Sequence, residues 1–381
     1  MTAELWSSFS NGERARVFRA PGRVNLIGEH TDYNLGFVLP VALDLAATIT
    51  VTPSVDGKLR IYSEQHDELR EWNPADIGQA ERAGHWSDYS IGVARELLRT
   101  GYQIEAANLW IRSSVPEGSG LSSSAALEVS SALAFLRGRP IDPIELARLC
   151  QRAEVEFVGM PCGIMDQYIS IFGRENTAVE IDCRDLHHRY VDLPRDVAFL
   201  AVNSMVKHSL AGSAYRQRVE ECAAAVEIIR RFAPYVESLR DVTPELLAQA
   251  WSSLPDIPAR RARHVVSEDA RVEAFVAASA ASDCSAMGRL FVESHRSMQH
   301  DYEISCPEID FLVDRAISIE GVYGARMTGG GFGGCTVNMM QPDAVEGFRE
   351  KISKTYEREY QVTPVLIEVN PSRGAGEDSP K

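Results

Sequence analysis

The sequence predicts an α+β protein of two domains. The chain has 381 residues, and a single hydrophobic core stops growing at roughly 250 to 300 residues. Predicted strands precede predicted helices in each half, without the regular strand and helix alternation of a doubly wound parallel sheet. The pattern begins again near Val191, which predicts domains at residues 1–190 and 191–381.

The first half begins with a polar segment, and β-type composition follows it. Strands are predicted at 38–39, 46–51, 59–62 and 107–113, and helices at 86–99 and from about 124 to 137. Asp142 and Pro143 have the residue types of an N-cap and a first helical position. They predict a third helix that runs to Gly159.

The second half is mostly helical between two strand regions. A buried strand is predicted at 198–203 and a long amphipathic helix at 215–232, and further helices, interrupted at 254–258, continue to about residue 316. A glycine turn between two short strands follows at 327–337, and a last strand is predicted at 365–369. The polar tail from Pro371 is predicted to be disordered.

Composition limits the classes of function and compartment. A net charge of -15 argues against a nucleic-acid surface or an anionic membrane as the main partner. Seven scattered cysteines without a C-x-x-C pair are typical of free thiols in a reducing compartment. The first residues contain no apolar leader and no run is apolar enough for a membrane helix, so a cytoplasmic protein is expected.

A glycine- and serine-rich stretch at 115–133 is the strongest candidate for an anion site. Gly118 and Gly120 allow backbone amides to converge on one point, and the helix beginning near Ser124 adds unpaired N–H groups and a positive dipole end. No lysine follows Gly120, so the stretch is not a P-loop. An ordinary capped helix after a loop would also explain the pattern.

Three motifs then resemble those of the GHMP small-molecule kinases. They are PGRVNLIGEHTDYN at 21–34, GSGLSSSAALEVS at 118–130 and MTGGGFGGCTV at 327–337. The first motif, GIMDQ at 163–167 and SCPEID at 305–310 are similar to the galactokinase branch. This resemblance, from about Phe18 to Gly374, implies a two-domain GHMP kinase fold with the active site in the cleft between the domains. It also implies transfer of the γ-phosphoryl group of ATP to the anomeric hydroxyl of galactose, giving galactose 1-phosphate and ADP.

The resemblance assigns the sugar site and the reacting groups. Asp166 lies among apolar residues, where a carboxylate needs a partner, and the family pattern makes it the catalytic aspartate, paired with Arg23. Whether Asp166 removes the proton or orients the hydroxyl stays open. The residues that the resemblance implies for sugar binding also include Arg23 and Asp166, together with Glu29, His30, Thr31, Asp32 and Tyr215.

The resemblance also assigns the nucleotide and metal sites. Ser124 and Glu154 are expected to bind Mg²⁺. The serine ligand is uncertain by one position among Ser122, Ser123 and Ser124. The residues expected to bind ATP are Ser63, Gly118, Ser119, Gly120, Leu121, Ser122, Ser123 and Ser124. The expected partners are therefore ATP and a small sugar, with a monomer or weak homo-oligomer as the assembly.

Two alternatives stay open at this point. One is a GHMP kinase for a related sugar, such as N-acetylgalactosamine, arabinose or a uronic acid, because selectivity at C2 depends on loop shape. The other is a galactose sensor that binds sugar and ATP without turnover; in such relatives the serine loop is altered, whereas here it is intact.

Overall fold

The computed structural model describes residues 15–207 and 211–378, which form three β-sheets with helices packed around them. Among these residues, neighbouring strands pair in antiparallel fashion except β4 (Leu59–Ser63) with β6 (Ala107–Ser113). The α+β prediction is therefore confirmed, and a doubly wound parallel sheet is excluded.

Thirteen strands lie within the described residues. A six-stranded sheet has the order β13-β1-β3-β6-β4-β5, a four-stranded sheet the order β10-β11-β9-β12, and a three-stranded sheet the order β2-β7-β8. The other strands are β1 (Arg16–Asn25), β2 (Phe37–Val38), β3 (Pro40–Pro53), β5 (Glu68–Trp72), β7 (Thr177–Asp182), β8 (His188–Asp192), β9 (Ala198–Lys207), β10 (Val322–Thr328), β11 (Gly333–Met340), β12 (Val365–Glu368) and β13 (Gly376–Asp378).

Ten α-helices lie within the described residues. Three of them cover the six-stranded sheet, and their apolar faces share a core with Ile49 and Leu109 of that sheet. The α-helices are α1 (Ser87–Arg99), α2 (Ser123–Leu136), α3 (Pro143–Arg152), α4 (Met165–Phe172), α5 (Ala211–Ile229), α6 (Pro244–Ala250), α7 (Asp256–Ala280), α8 (Cys284–Ser297), α9 (Pro307–Ile317) and α10 (Val345–Tyr360).

A second core connects the N-terminal and C-terminal parts of the chain. Leu26, within the first motif, and Leu39, which follows it, pack in one cluster with Phe275 of α7 and Val337 of β11. All four side chains are fully buried. This shared core fixes the first motif relative to the glycine turn between β10 and β11.

The third predicted helix begins as its cap residues indicate. The Asp142 side chain accepts hydrogen bonds from the backbone N–H groups of Ile144 and Glu145, both at 3.0 Å. The α-helix ends at Arg152, and a π-helical segment, Ala153–Val158, continues to the left-handed Gly159. Segments of this type are rare and often occur at functional sites.

Two sequence-based expectations about the chain ends were incomplete or wrong. Strand β1 was missed because the arginines in its sequence hide the apolar pattern of a strand that is buried along most of its length. The tail was expected to be disordered, yet β13 pairs with β1 at the sheet edge, and the two oxygens of Glu377 accept bonds of 2.8 and 2.6 Å from Arg16. Backbone pairing at an open sheet edge needs no apolar side chains, so composition could not reveal it.

Within residues 15–207 and 211–378, no helix is both long and apolar enough to cross a membrane. All seven cysteines are free thiols, as the sequence predicts.

Candidate active site

The serine loop, residues 114–122 between β6 and α2, has three residues in the left-handed backbone region. Gly118, Gly120 and Ser122 have φ angles of 65°, 79° and 60°, in the left-handed region, which for a non-glycine residue such as Ser122 costs about 1–3 kcal/mol. Helix α2 begins at Ser123, and Ser122 makes no side-chain capping bond to it. The Ser122 hydroxyl donates instead to Asp166. The loop is therefore more than an ordinary helix cap, and the first N–H groups of α2, which a helix cannot pair internally, favour an anion.

The glycine turn of the third motif packs directly on this loop. A Cβ atom on Gly329 would lie 2.9 Å from the carbonyl oxygen of Gly120, and one on Gly334 would lie 3.1 Å from that of Ser119. Only glycine allows such an approach of two backbones. The structure thus brings together two motifs that are about 200 residues apart in the sequence.

Arg23 and Asp166 form a bidentate ion pair beside the loop. Arg23 Nε donates to Asp166 Oδ1 and Nη2 to Oδ2, both at 2.8 Å. The third guanidinium nitrogen, Nη1, donates to the Gly120 carbonyl at 2.5 Å. The pair predicted from the sequence is therefore present. Hydrogen bonds from Arg23 to Gly120 and from Ser122 to Asp166 connect it to the serine loop.

Asp32 faces this pair from the first motif. Its Oδ2 lies where a Cβ on Gly163 would be, only 1.6 Å away, so Gly163 leaves the space that the carboxylate occupies. Burial, followed by the negative charge of Asp166, raises the pKa of Asp32 to about 6. Asp32 and Asp166 thus place two carboxyl groups on the same side of the site, and Asp32 changes charge close to neutral pH.

Glu29 is held in a fully buried polar cluster. Its Oε1 accepts from the Gly329 N–H at 3.0 Å, and its Oε2 accepts from Asn25 at 2.9 Å and from the Arg326 guanidinium. Burial raises the pKa of Glu29. Both oxygens already have protein donors, so any sugar hydroxyl here would share them.

His30 and Thr31 also have partners within the protein. His30, at φ 62°, has Nδ1 at 2.9 Å from the Tyr33 hydroxyl and Nε2 at 3.2 Å from the Gly330 carbonyl. Because a carbonyl only accepts, Nε2 carries the hydrogen and Nδ1 accepts from Tyr33. Burial lowers the pKa of His30 to about 3, so the ring is neutral. The fully buried Thr31 hydroxyl lies 2.9 Å from the carbonyl oxygen of Gly28 and bonds within the turn.

Tyr215 lies on α5, against the first motif. Its ring centroid is 5.0 Å from that of His30 and 5.5 Å from that of Tyr33. Burial raises the pKa of Tyr215 well above its ordinary value, so its hydroxyl keeps its proton. The Tyr215 ring therefore lies beside the first motif, on the side where Asp32 is also located.

Ser124 and Glu154 meet behind the serine loop. The Ser124 hydroxyl bonds to the Glu154 carboxylate, which lies in the π-helical segment and is nearly fully buried. Burial, followed by the charge of Asp166, raises the pKa of Glu154 to about 7. In the described part of the chain, no group of three or more His, Cys, Asp or Glu side chains is arranged to hold a metal ion by itself. A hydroxyl and a carboxylate nevertheless suit Mg²⁺, which takes its other oxygens from phosphates and water.

A cleft of about 490 Å³ opens next to the serine loop. Ser63, at the end of β4, lines it together with Trp86, Tyr89 and Leu127, and Ser124 of the first turn of α2 also lines it. The cleft combines aromatic walls with a polar end at the loop, which is the usual character of a small-molecule site.

Sequence reasoning missed several polar residues that support the site. They are buried, and each contacts a residue that the motifs identified: Asn25 and Arg326 contact Glu29, and Gln167 contacts Glu154. Asn25 and Gln167 lie inside the quoted motifs, so a polar residue among apolar neighbours was the available signal. Nothing in the sequence indicates that Arg326 reaches the first motif, because almost 300 residues separate it from Glu29.

Comparison with protein families gives three matches along the chain. Residues 7–53 match the galactokinase galactose-binding signature, residues 88–174 the GHMP kinases N terminal domain, and residues 274–358 the GHMP kinases C terminal. The galactokinase of Roseiflexus sp. (strain RS-1) is 46% identical over 364 residues, which cover 94% of this chain and 92% of that protein. The galactokinase of Chloroflexus aggregans (strain MD-66 / DSM 9485) is 46% identical over 337 residues, covering 87% and 86%.

Solved structures of a galactokinase and of another GHMP kinase are also similar to this chain. A crystal structure of Lactococcus lactis galactokinase complexed with galactose has a TM-score of 0.93 at 31% identity, with 98% of each chain covered. The mevalonate kinase of Methanococcus jannaschii has a TM-score of 0.65 at 18% identity, covering 95% of this chain and 99% of that one, and this likeness shows the fold alone.

Proposed function

The chain belongs to the galactokinase family of GHMP kinases, and on this premise we propose how its cleft transfers the γ-phosphoryl group of ATP to the anomeric hydroxyl of galactose. Galactose 1-phosphate and ADP are the products. Phosphoryl transfer passes through a loose transition state, so catalysis depends mainly on positioning the reactants and neutralising charge.

The observation that carries this proposal is the bidentate pair of Arg23 and Asp166 against the serine loop. Asp166 holds the anomeric hydroxyl and accepts its proton as the oxygen attacks. Arg23, whose guanidinium lies between Asp166 and the Gly120 carbonyl, stabilises the negative charge of the transferring group. Both residues also contact the sugar.

We propose that the sugar lies against the first motif, between Asp32 and Tyr215. Asp32 accepts hydrogen bonds from ring hydroxyls, and its position over Gly163 supports this role. Glu29, His30 and Thr31 complete the sugar site. Because their polar atoms already have protein partners, we propose that His30 and Thr31 act mainly by shaping the pocket.

We propose that ATP binds with its phosphates on the loop from Gly118 to Ser124 and its base in the neighbouring cleft. The first backbone N–H groups of α2 and the N–H groups of the glycine loop offer donors to the phosphates. The rings of Trp86 and Tyr89 offer apolar surface to the base, and Ser63 offers a hydroxyl.

We propose that Mg²⁺ is held by Ser124 and Glu154. Both are hard oxygen donors beside the proposed phosphate site, which fits this ion. The ion supplies neutralisation of the charge on the β- and γ-phosphates when it is bound. The protein's own contribution is to hold the buried Glu154 carboxylate beside the Ser124 hydroxyl.

We also propose a compartment, an assembly state and a domain boundary for this protein. We place the protein in a reducing cytoplasm because all seven cysteines are free thiols. We propose a monomer or weak homo-oligomer, without a nucleic-acid or membrane partner because the net charge is -15. We propose a domain boundary near residue 190, with β13 returning to the sheet of the first domain.

The decisive experiment is a coupled assay of ADP release with Mg²⁺ and ATP. We expect ADP release with galactose, and at most slow release with N-acetylgalactosamine, arabinose or galacturonic acid. Faster release with one of these sugars would identify a related sugar kinase. Binding of galactose and ATP without release of ADP would identify a sensor and refute the proposed reaction.

A further inference from the structure

One buried amide lies directly beneath the proposed metal ligand. Gln167 is fully buried, and its Nε2 donates to Glu154 Oε2 at 2.7 Å and to Glu128 Oε2 at 2.9 Å. These are the two hydrogens that a primary amide carries, so the donor capacity of Nε2 is filled. The two bonds join α4, α2 and the π-helical segment at a single nitrogen.

The orientation of this amide is fixed by its surroundings. In the structure, Nε2 of Gln167 faces both carboxyl groups, and a carboxyl group keeps an oxygen that accepts from an amide N–H whether or not it carries a proton. Glu128 is fully buried and has no cationic partner among the described residues, and burial raises its pKa well above the ordinary value. Within the described part of the chain, Glu128 Oε2 accepts from Gln167, and Glu128 Oε1 has no hydrogen-bond partner.

Gln167 also lies next to Asp166 in the first turn of α4. Its two bonds tie this turn to the helix that begins at the serine loop. Without them, the Glu154 carboxylate would keep, among residues 15–207 and 211–378, the bonds to Ser124 and, at 3.5 Å, to the Cys162 thiol. Groups that orient a metal ligand commonly matter nearly as much as the ligand.

We propose that Gln167 is a positioning residue for the Mg²⁺–nucleotide site, and that Glu128 holds the Gln167 amide in the orientation in which it fixes the Glu154 carboxylate beside Ser124. The inference rests on the proposed function, in which Ser124 and Glu154 bind Mg²⁺. It assigns a role to two side chains that touch neither the sugar nor ATP.

Four variants test the inference. Gln167→Met and Glu128→Met keep approximate size but remove the donor and the acceptor, respectively. Glu128→Gln retains an oxygen that can accept from Gln167 and is the conservative rescue. Ser131→Ala is the matched control, because it removes a buried hydrogen bond of α2, the 2.8 Å contact with Ser90, away from the metal site.

The readout is ADP binding by calorimetry, with saturating Mg²⁺ and with EDTA. For Gln167→Met and Glu128→Met, we expect the gain in ADP affinity that Mg²⁺ provides to fall by about 10–100-fold, the usual effect of losing a residue that orients a metal ligand. Affinity in EDTA and galactose affinity should not change. In the kinase assay, the Mg²⁺ concentration for half-maximal rate should rise by the same factor. Glu128→Gln and Ser131→Ala should remain close to the unmodified protein.

Two results would overturn the inference. One is unchanged Mg²⁺-dependent ADP affinity in Gln167→Met, and the other is an equal loss in Glu128→Gln and Glu128→Met. If Gln167→Met does not fold, as judged by circular dichroism, Gln167→Asn replaces it, because the shorter amide cannot reach both carboxyl groups. An unmodified protein that binds Mg²⁺ and ADP but releases no ADP with galactose would refute the proposed reaction and leave this inference testable.

Discussion

Replacing Asp166 with asparagine tests the ion pair on which the proposed chemistry depends. The substitution keeps the shape of the side chain but removes its negative charge. In the native site, both carboxylate oxygens accept from Arg23 at 2.8 Å, and one also accepts from Ser122. An asparagine can keep only one of the two Arg23 bonds, because its amide nitrogen would face an N–H group.

The expected magnitude follows from this geometry. Removing a group that takes a proton in the transition state typically lowers the rate about 10²–10⁴-fold, which corresponds to about 3–5 kcal/mol in the barrier. Breaking a buried ion pair costs about 3–5 kcal/mol of stability. Since the Asp166 side chain is 21% exposed and Arg23 keeps its bond to Gly120, we expect a stability loss at or below the lower end of this range.

The assay measures kcat and KM by coupled ADP release, and ADP affinity by calorimetry. We expect kcat to fall by orders of magnitude while ADP affinity stays nearly unchanged, because the proposed phosphate donors are backbone amides. Asp241→Asn is the matched control, since Asp241 is also paired with an arginine, at 2.5 Å, and its side chain is 18% exposed. Near-normal turnover in Asp166→Asn would remove Asp166 from the mechanism.

Three further predictions follow from the contacts around the site. Gly163→Ala should raise KM for galactose with little effect on KM for ATP, because a Cβ would lie 1.6 Å from Asp32 Oδ2; steady-state kinetics for both substrates check this, and equal effects on both would contradict it. Glu154→Gln should raise the Mg²⁺ concentration needed for half-maximal rate, measured by Mg²⁺ titration at saturating ATP, and an unchanged requirement would exclude Glu154 as a ligand. His264 is buried and bonded to Ser297 at 2.9 Å, and burial lowers its pKa from 6.5 to about 4. The unfolded chain therefore binds one more proton between these values, and stability should fall as pH drops from 6.5 towards 4, by about 1.4 kcal/mol per pH unit from this group. Between pH 7.5 and 5.5, the free energy of unfolding should fall by about 1 kcal/mol less in His264→Gln than in the unmodified protein. Urea unfolding at both pH values measures this, and an identical fall in the two proteins would refute the lowered pKa of His264.

Much of the candidate site could be predicted because local sequence fixes local geometry. The glycines of the serine loop and the cap at Asp142 act within a few residues, so their roles follow from residue type and spacing. A partner for Asp166 was also predicted, since a carboxylate among apolar residues needs a charged or hydrogen-bonding group beside it. The family resemblance identified Arg23 as that partner.

Other features depend on contacts between distant parts of the chain. Strand β13 forms because the backbone of β1 leaves an open edge, a condition that no side-chain pattern records. Arg326 meets Glu29, and Gln167 meets both Glu128 and Glu154, only after three sheets and their helices have packed.

The sequence by itself determined which chemical groups the protein has and where its backbone can bend, because residue type sets charge, hydrogen-bonding capacity and φ preference locally. Only the tertiary structure decided which buried polar groups form hydrogen bonds with each other. A buried donor must find an acceptor wherever packing places one, and that partner can lie hundreds of residues away.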